Sequence, residues 1–515
     1  MKLFIIIEYI VNLILLLFFH MHMFQLNSYF VSKHMHWIKI NIKKIIIQIL
    51  LILLPTLLLI FNNTFFNLLA ILFLGLSIFY NIPRKKAKIP FKITNRIKRM
   101  FITESLLILL IILINNNENL IYAKLCTLNI LTPILYIFSN FINSPIEYIG
   151  KKYYINQAKK ILKNMPNLIV IGVTGSYGKT SVKNFLVKTL STKYNVLTTP
   201  KNYNTTLGVV KTIRENLKPI HEIFICEMGA THKGDIKEIC DIVTPNIGII
   251  TAIGPQHLES FKNINNIIET KFELVNSVKE NNGIVFLNYD NEYLSQQPLE
   301  SNVFSYGINN STLNYNAYDL NSSPNGLSFK ILDKNTDKEV EFRSKLIGKH
   351  NVVNIAGAIS IANLLGIPLE KLVPCVREIC NVEHRLKLLS RSNLTIIDDS
   401  YNSNPISSKS ALDTLSEFEG CKIIVTPGLI ELGNDEKKYN FEFGQYMSSI
   451  CDYIFLVGSE HSKSVLNGIY STNFDKQKIY IVDSPEVAIQ QIQKLGITDE
   501  ITVLLENDLP DNYNL

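Results

Sequence analysis

Apolar residues fall along this chain in two regimes. Over residues 1–145 they form long runs, at about 3–19, 38–61, 65–80, 101–115 and 120–142. From residue 146 onward they shorten to β-branched runs of strand length, separated by stretches with helical spacing. A bilayer takes about 20 apolar residues per helix. Five such runs in succession predict a membrane region with about five transmembrane helices. A cleaved leader accounts only for the first, and buried soluble helices for one or two of the shorter ones. Arg84, Lys85, Lys86, Lys88, Lys92, Arg96, Lys98 and Arg99 lie between the third and fourth runs, which puts that loop in the cytoplasm. Asn115 to Asn119 carry no Lys or Arg and read as outside. Lys151, Lys152, Lys159 and Lys160 then open a cytoplasmic part, and Lys39, Lys43 and Lys44 fall inside when the N-terminus is outside. The chain is thereby expected in the cytoplasmic membrane, multi-pass. Glu8 and Glu104 interrupt apolar runs. Carboxylates there point to function by default, and interfacial placement near helix ends accounts for them equally.

The second regime predicts two α/β domains, at 146–384 and 385–515. In the first, strand-like runs at Leu168–Val173, Val196–Thr199, Ile223–Cys226, Ile247–Ile253 and Ile284–Leu287 alternate with helix-like segments such as Asp235–Ile242 and Ile264–Val278. That alternation predicts a mostly parallel sheet with helices on both faces. Ligands of such sheets gather at the carboxyl ends of the strands. Residues 301–345 suit a small β excursion, and G-K-H-N-V-V-N-I-A-G-A at 348–358 has helical spacing, with Asn351 and Asn354 on its approach. The second domain restarts near His384-Arg385-Leu386, with strands at Leu394–Ile397, Ile423–Thr426, Tyr453–Val457, Ile479–Val482 and Ile501–Leu505. It reads as a smaller Rossmann-like domain. Pro405 suits a helix start, with Ser403 or Asn404 as cap.

The chemistry concentrates at L-I-V-I-G-V-T-G-S-Y-G-K-T, 168–180. A strand ends, a glycine loop follows, and a helix opens through Val182, Phe185, Leu186 and Leu190. Gly175, Ser176 and Gly178 let backbone N–H groups turn toward an anion at a helix N-terminus. Lys179 suits the outer phosphates and Thr180 a magnesium ion riding with them. The spacing departs from the usual phosphate loop, because position 173 is Val and the glycine stands at 172. Glu227 ends its strand and suits Mg²⁺ as a hard oxygen ligand, or caps the next turn. His257 follows the next strand, and Lys271 lies fourteen residues on; a loop histidine and a solvated lysine are the plain alternatives. K-N-Y-N-T-T-L-G at 201–208 offers neutral donors or is an Asn-rich turn. The acidic pair at 398 and 399 contacts a ribose or caps a turn. P-G-L-I-E-L-G at 427–433 lacks the lysine of a second phosphate loop.

Bulk properties narrow the classes. Hydrophobic residues are 47%, an excess that sits in residues 1–145. The net charge of +7 also lies largely near the N-terminus, so it argues for membrane topology and against nucleic-acid binding. The seven cysteines, at 126, 226, 240, 375, 380, 421 and 451, form no C-x-x-C pair. They read as reduced, mostly buried thiols.

T-G-S-Y-G-K-T, E-M-G, H-L-E followed by K-F-E, G-K-H-N-V-V-N, H-R-L, D-D-S-Y-N-S-N-P and P-G-L-I-E-L-G occur in this order. Together they resemble the Mur ligase family over about residues 145–500, and within it the branch that adds D-alanyl-D-alanine. The resemblance implies an ATP-dependent amide ligase of cell-wall precursor synthesis. A carboxylate is phosphorylated to an acyl phosphate, and an amine attacks it. It implies ATP and Mg²⁺ as cofactors, with a cell-wall precursor and an amino acid or dipeptide as partners. Lys179 then contacts the transferred phosphate, and Thr180 with Glu227 holds one Mg²⁺. His257 holds a second, and Lys271 matches a lysine that is carbamylated. Asn354 matches an adenine contact; Arg385 and Asp399 match nucleotide contacts, with Tyr401 and Asn402 in the same motif. Membrane helices stand where such ligases carry a domain for the UDP-linked sugar, and the end L-L-E-N-D-L-P-D-N-Y differs from theirs. Both departures point to a different or lipid-linked acceptor. A nucleotide-driven transporter or sensor, and a non-catalytic nucleotide-binding partner, are the other readings.

Overall fold

The computed structural model describes residues 1–82, 89–113, 120–200, 203–298, 300–391, 393–401, 403–458 and 462–508. The expected loops with Arg84, Lys85, Lys86 and Lys88, and with Asn115 to Asn119, lie outside the described residues, as do Lys201, Asn202 and Asn402. Two compact units part at Tyr153 and Tyr154, within the helix Ile121–Lys163.

The N-terminal unit is helical. Among the described residues, four helices are long and apolar enough to cross a membrane: Lys2–Leu26, Ile42–Leu59, Thr64–Asn81 and Ile121–Lys163. The run at 101–115 does form a helix, Asn95–Leu113, but that helix also takes in Arg96, Lys98, Arg99 and Glu104. A separate helix, Val31–Ile40, precedes the second span. Leu50, Leu57, Leu68, Leu72 and Phe79 point outward, exposed, while polar side chains turn inward, where apolar surroundings demand partners. Asn12 Nδ2 donates to Leu74 O at 3.2 Å, Asn81 Nδ2 to Asn12 Oδ1 at 3.4 Å, and Gln48 Nε2 to Asn81 Oδ1 at 2.9 Å. Glu8 and Glu104 are buried within this unit, not held at an exposed interface.

The second unit, Tyr154–Asp508, contains two sheets. The first comprises β1 Ile169–Thr174, β2 Val196–Thr198, β3 Ile223–Glu227, β4 Ile247–Ile250, β5 Ile284–Asn288, β6 Val303–Ile308, β7 Tyr315–Ser323, β8 Gly326–Asp333 and β9 Lys338–Ser344. Their order is β2-β3-β1-β4-β5-β6-β7-β8-β9. Pairing is parallel from β2 through β7 and antiparallel from β7 to β9. The β excursion at 301–345 therefore extends this sheet. Apolar runs such as I-F-I-C in β3 are buried throughout, as strands covered on both faces require.

Register explains the displaced glycine. Gly172 of β1 pairs with Gly248 of β4. A Cβ at Gly172 would stand 2.6 Å from Leu274 Cδ1, and one at Gly248 3.2 Å from Leu274 Cγ. The two glycines let the helix Ile264–Glu280 press Leu274 onto the sheet, one turn from Lys271. Gly172 thus serves packing, and the phosphate-type loop begins at Gly175.

The second sheet comprises β10 Lys387–Arg391, β11 Leu394–Asp399, β12 Cys421–Thr426, β13 Tyr453–Val457, β14 Ile479–Val482 and β15 Ile501–Glu506, in the order β10-β11-β15-β12-β13-β14. It is parallel apart from the β10–β11 hairpin, whose first strand the sequence reading did not anticipate. Pro405 opens the helix Pro405–Ser416, and Asn404 caps it in a reciprocal box with Ser407. All seven cysteines are free thiols; 126, 226, 240 and 451 are buried, and Cys380 is exposed.

Candidate active site

The loop after β1 is strapped to the end of β4. Ser176 N donates to Ala252 O at 2.7 Å, Ser176 Oγ to Gly254 O at 3.0 Å, and Thr251 Oγ1 to Tyr177 O. Gly175 has φ 152° and Gly178 φ 81°, values at which a Cβ strains the backbone. A Cβ at Gly175 would meet Thr251 Oγ1 at 2.1 Å, and one at Gly178 would meet Asn354 Oδ1 at 2.8 Å. Gly175→Ala is therefore expected to cost about 1–3 kcal/mol in backbone strain alone, read as a lowered unfolding midpoint together with lost nucleotide binding.

Lys179 and Thr180 open the helix Lys179–Leu190 behind the Gly178 cap. Lys179 Nζ donates back to Gly175 O at 2.6 Å and Ser176 O at 3.1 Å. Burial pushes its pKa down to about 8, opposed by the Glu227 charge and assisted by Arg385. Register places Glu227 beside Val173, on the strand next to the loop. Thr180 Oγ1 donates to Glu227 Oε1 at 3.2 Å, and Asn204 Nδ2 donates to the same oxygen at 3.1 Å. Asn204 is how the 201–208 segment enters the site.

Lys183 was missed by sequence reading. Its Nζ lies 3.0 Å from Glu227 Oε2, with both side chains 2% exposed, and donates to Thr199 O at 3.0 Å. The signal was present: Lys183 occupies the buried stripe that includes Leu186 and Leu190, where a lysine needs a partner.

Lys271 is buried, 3% exposed. Burial, then the Lys179 charge, drive its pKa far below the usual lysine value. His257 is the N-cap of the short helix Leu258–Phe261. At φ 52° its Nδ1 meets Glu431 Oε2 at 2.5 Å. Glu431 belongs to P-G-L-I-E-L-G and was not singled out; its left-handed φ of 62° leaves no mark in the sequence. Among the described residues no group of three or more His, Cys, Asp or Glu gathers to hold a metal. The Thr180 hydroxyl and Glu227 carboxylate, adjacent at the loop, are the hard oxygen donors that suit Mg²⁺.

A cavity of about 210 Å³ adjoins the loop. Its lining includes Tyr177, Gly178, Asn354, His350, Arg385 and Asp399. Both sheets of this unit thus contribute, and the three positions matched as nucleotide contacts meet in one space. Arg385 stacks its guanidinium 4.7 Å over the Tyr401 ring. Asp399 Oδ1 accepts from Leu386 N at 3.3 Å, and burial pushes its carboxyl up to about 6, opposed by Arg385.

Comparison with known proteins adds the following. The family described as the Mur ligase middle domain matches residues 173–362, and that described as Mur ligase, glutamate ligase domain matches 384–505. The UDP-N-acetylmuramoyl-tripeptide–D-alanyl-D-alanine ligase of Bacillus subtilis (strain 168) is 32% identical over 56% of this chain and 62% of its own length. The protein of the same name from Buchnera aphidicola subsp. Acyrthosiphon pisum is 30% identical over 61% of this chain and 70% of its own. The MurF ligase of Thermotoga maritima, solved in complex with ADP, superposes with a TM-score of 0.62 at 25% identity, over 70% of this chain and 80% of that one. The chain thus spans less than two thirds of the Bacillus relative it matches.

Proposed function

Because the chain belongs to the Mur ligase family, we propose that it is an ATP- and Mg²⁺-dependent amide ligase of cell-wall precursor synthesis. Its amine substrate in this reading is D-alanyl-D-alanine, in keeping with the names of its relatives. Residues 1–145 anchor it in the cytoplasmic membrane, 146–384 bind ATP, and 385–515 complete the nucleotide site. The anchor is supported by the four apolar helices. The observation that carries the reading is the meeting of Lys179, Thr180 and Glu227 at one glycine loop.

The acceptor carboxylate attacks the γ-phosphorus, and the bond to ADP breaks. The amine then attacks the acyl carbon, inorganic phosphate departs, and the amine's proton is lost. Lys179 follows the transferred phosphoryl group with its charge, and the loop N–H groups hold the remaining phosphates. Thr180 and Glu227 would hold one Mg²⁺ and His257 a second, which would supply positive charge to the transferring group. Lys271 is buried with its pKa pushed down, which favours the amine form that would add CO₂ and lose a proton to give a carbamate, an anion able to join the metal site. Asn354, Arg385 and Asp399 hold the nucleoside end. Glu431 orients His257 through its Nδ1.

The test is mass spectrometry of products from the purified full-length chain with ATP, Mg²⁺, UDP-N-acetylmuramoyl-tripeptide and D-alanyl-D-alanine. The expected product is the ATP-dependent dipeptide adduct. Steady ATP hydrolysis with no amide product under any acceptor sinks the proposal and favours a transporter. A second arm replaces the acceptor with a lipid-linked precursor, a reading favoured by the apolar helices. Ordinary turnover of the soluble acceptor without detergent or lipid removes that reading.

A further inference from the structure

Two acidic side chains meet behind the nucleotide cavity. Glu506 ends β15 and lies in register with Asp399 at the end of β11. Asp399 lines the cavity; Glu506 is 0% exposed. Ser403 Oγ donates to Glu506 Oε1, and Ser403 in turn contacts Ser408. Among the described residues no donor reaches Glu506 Oε2, and the carboxyl it faces is that of Asp399, its register partner. Two buried acceptors set against each other without a donor between them need a proton there. The charged groups around the pair are Arg385, which faces both carboxyls, and Asp398, which adjoins Asp399. Asp398 is itself held by His384 Nδ1 at 2.8 Å and by Ser400 Oγ at 2.6 Å.

We infer that Glu506 is a positioning residue for nucleotide binding: it shares one proton with Asp399 and so keeps the charge facing Arg385 at the cavity to a single carboxylate. This rests on the nucleotide-binding reading given above. With one proton the pair carries one negative charge, which the charge of Arg385, a lining residue of the cavity, balances. With none, two adjacent carboxylates hold Arg385 back and add a repulsive charge beside the incoming phosphates. Burial pushes Asp399 up to about 6 and Glu506 up to about 8, so the second charge develops as pH rises through about 8.

The experiment measures the calorimetric Kd of Mg²⁺-ADP for the full-length protein in detergent micelles from pH 7 to 9, in wild type and Glu506→Gln. The ratio of wild-type to variant Kd is expected to rise about tenfold over that range, because only the wild type loses the shared proton. Taking the ratio cancels the titration of Lys179 and of the nucleotide. Ser403→Ala removes a donor that favours the charged form of Glu506, so its alkaline limb is expected at higher pH than the wild type's. A merely structural role for Glu506 moves affinity equally at every pH. A ratio constant within twofold, or a Ser403→Ala limb that does not move, overturns the inference alone. Absence of nucleotide binding by the wild type at every pH overturns the nucleotide reading and this inference with it.

Discussion

Lys179→Ala is expected to lower amide-forming turnover by about 10²–10³-fold, the cost of removing one charge aimed at a developing anion. The side chain now donates to the carbonyls of Gly175 and Ser176. It is the cation of the loop itself, and Thr180 beside it already serves Glu227. Its charge depends on pH. Burial places the pKa at about 8, so the ammonium is the majority form at pH 7 and is lost as pH rises through 8. The wild-type rate should therefore fall on the alkaline side in the absence of saturating nucleotide. Steady-state kinetics of wild type and variant check both statements. A variant with unchanged turnover would remove Lys179 from the chemistry.

Lys183→Met should act on stability. The Lys183–Glu227 pair is buried at 2% exposure on each side. Removing the cation leaves Glu227 without its buried ion-pair partner, with Thr180 and Asn204 as neutral donors. Breaking such a pair from one side costs about 3–5 kcal/mol, whereas replacing both partners by apolar residues is close to neutral. Chemical unfolding should thus show a large fall in midpoint for Lys183→Met and substantial recovery in Lys183→Met with Glu227→Leu. The double variant should still fail to ligate, which separates the fold from the reaction.

The strands of both sheets were legible because buried parallel strands leave near-continuous apolar runs, as in I-F-I-C before Glu227. The loop from Gly175 to Thr180 was legible because phosphate capture needs those residue types in that order. Strand β10 was not, since K-L-L-S-R alternates weakly and is fixed by its hairpin partner β11. The start of the helix holding the fourth apolar run was not visible: it begins at Asn95 and takes in three basic residues ahead of that run. Contacts between distant segments were the least visible. Glu431 lies 174 residues from His257, and Glu506 meets Asp399 only through the pairing of β11 with β15. Lys183 could have been found by asking why a lysine stands on an apolar stripe.

The glycine pair at 172 and 248 has a consequence for how damage in this protein would present itself. Leu274 rests in the notch they leave, and Lys271 rides on the same helix three residues away. The depth of that notch works as a spacer that sets how far the lysine reaches toward the loop. A bulkier strand would lift the helix and withdraw the amine. With Lys271 in the role proposed above, a fault in the floor of the sheet would then look, to an enzymologist, like poor metal loading.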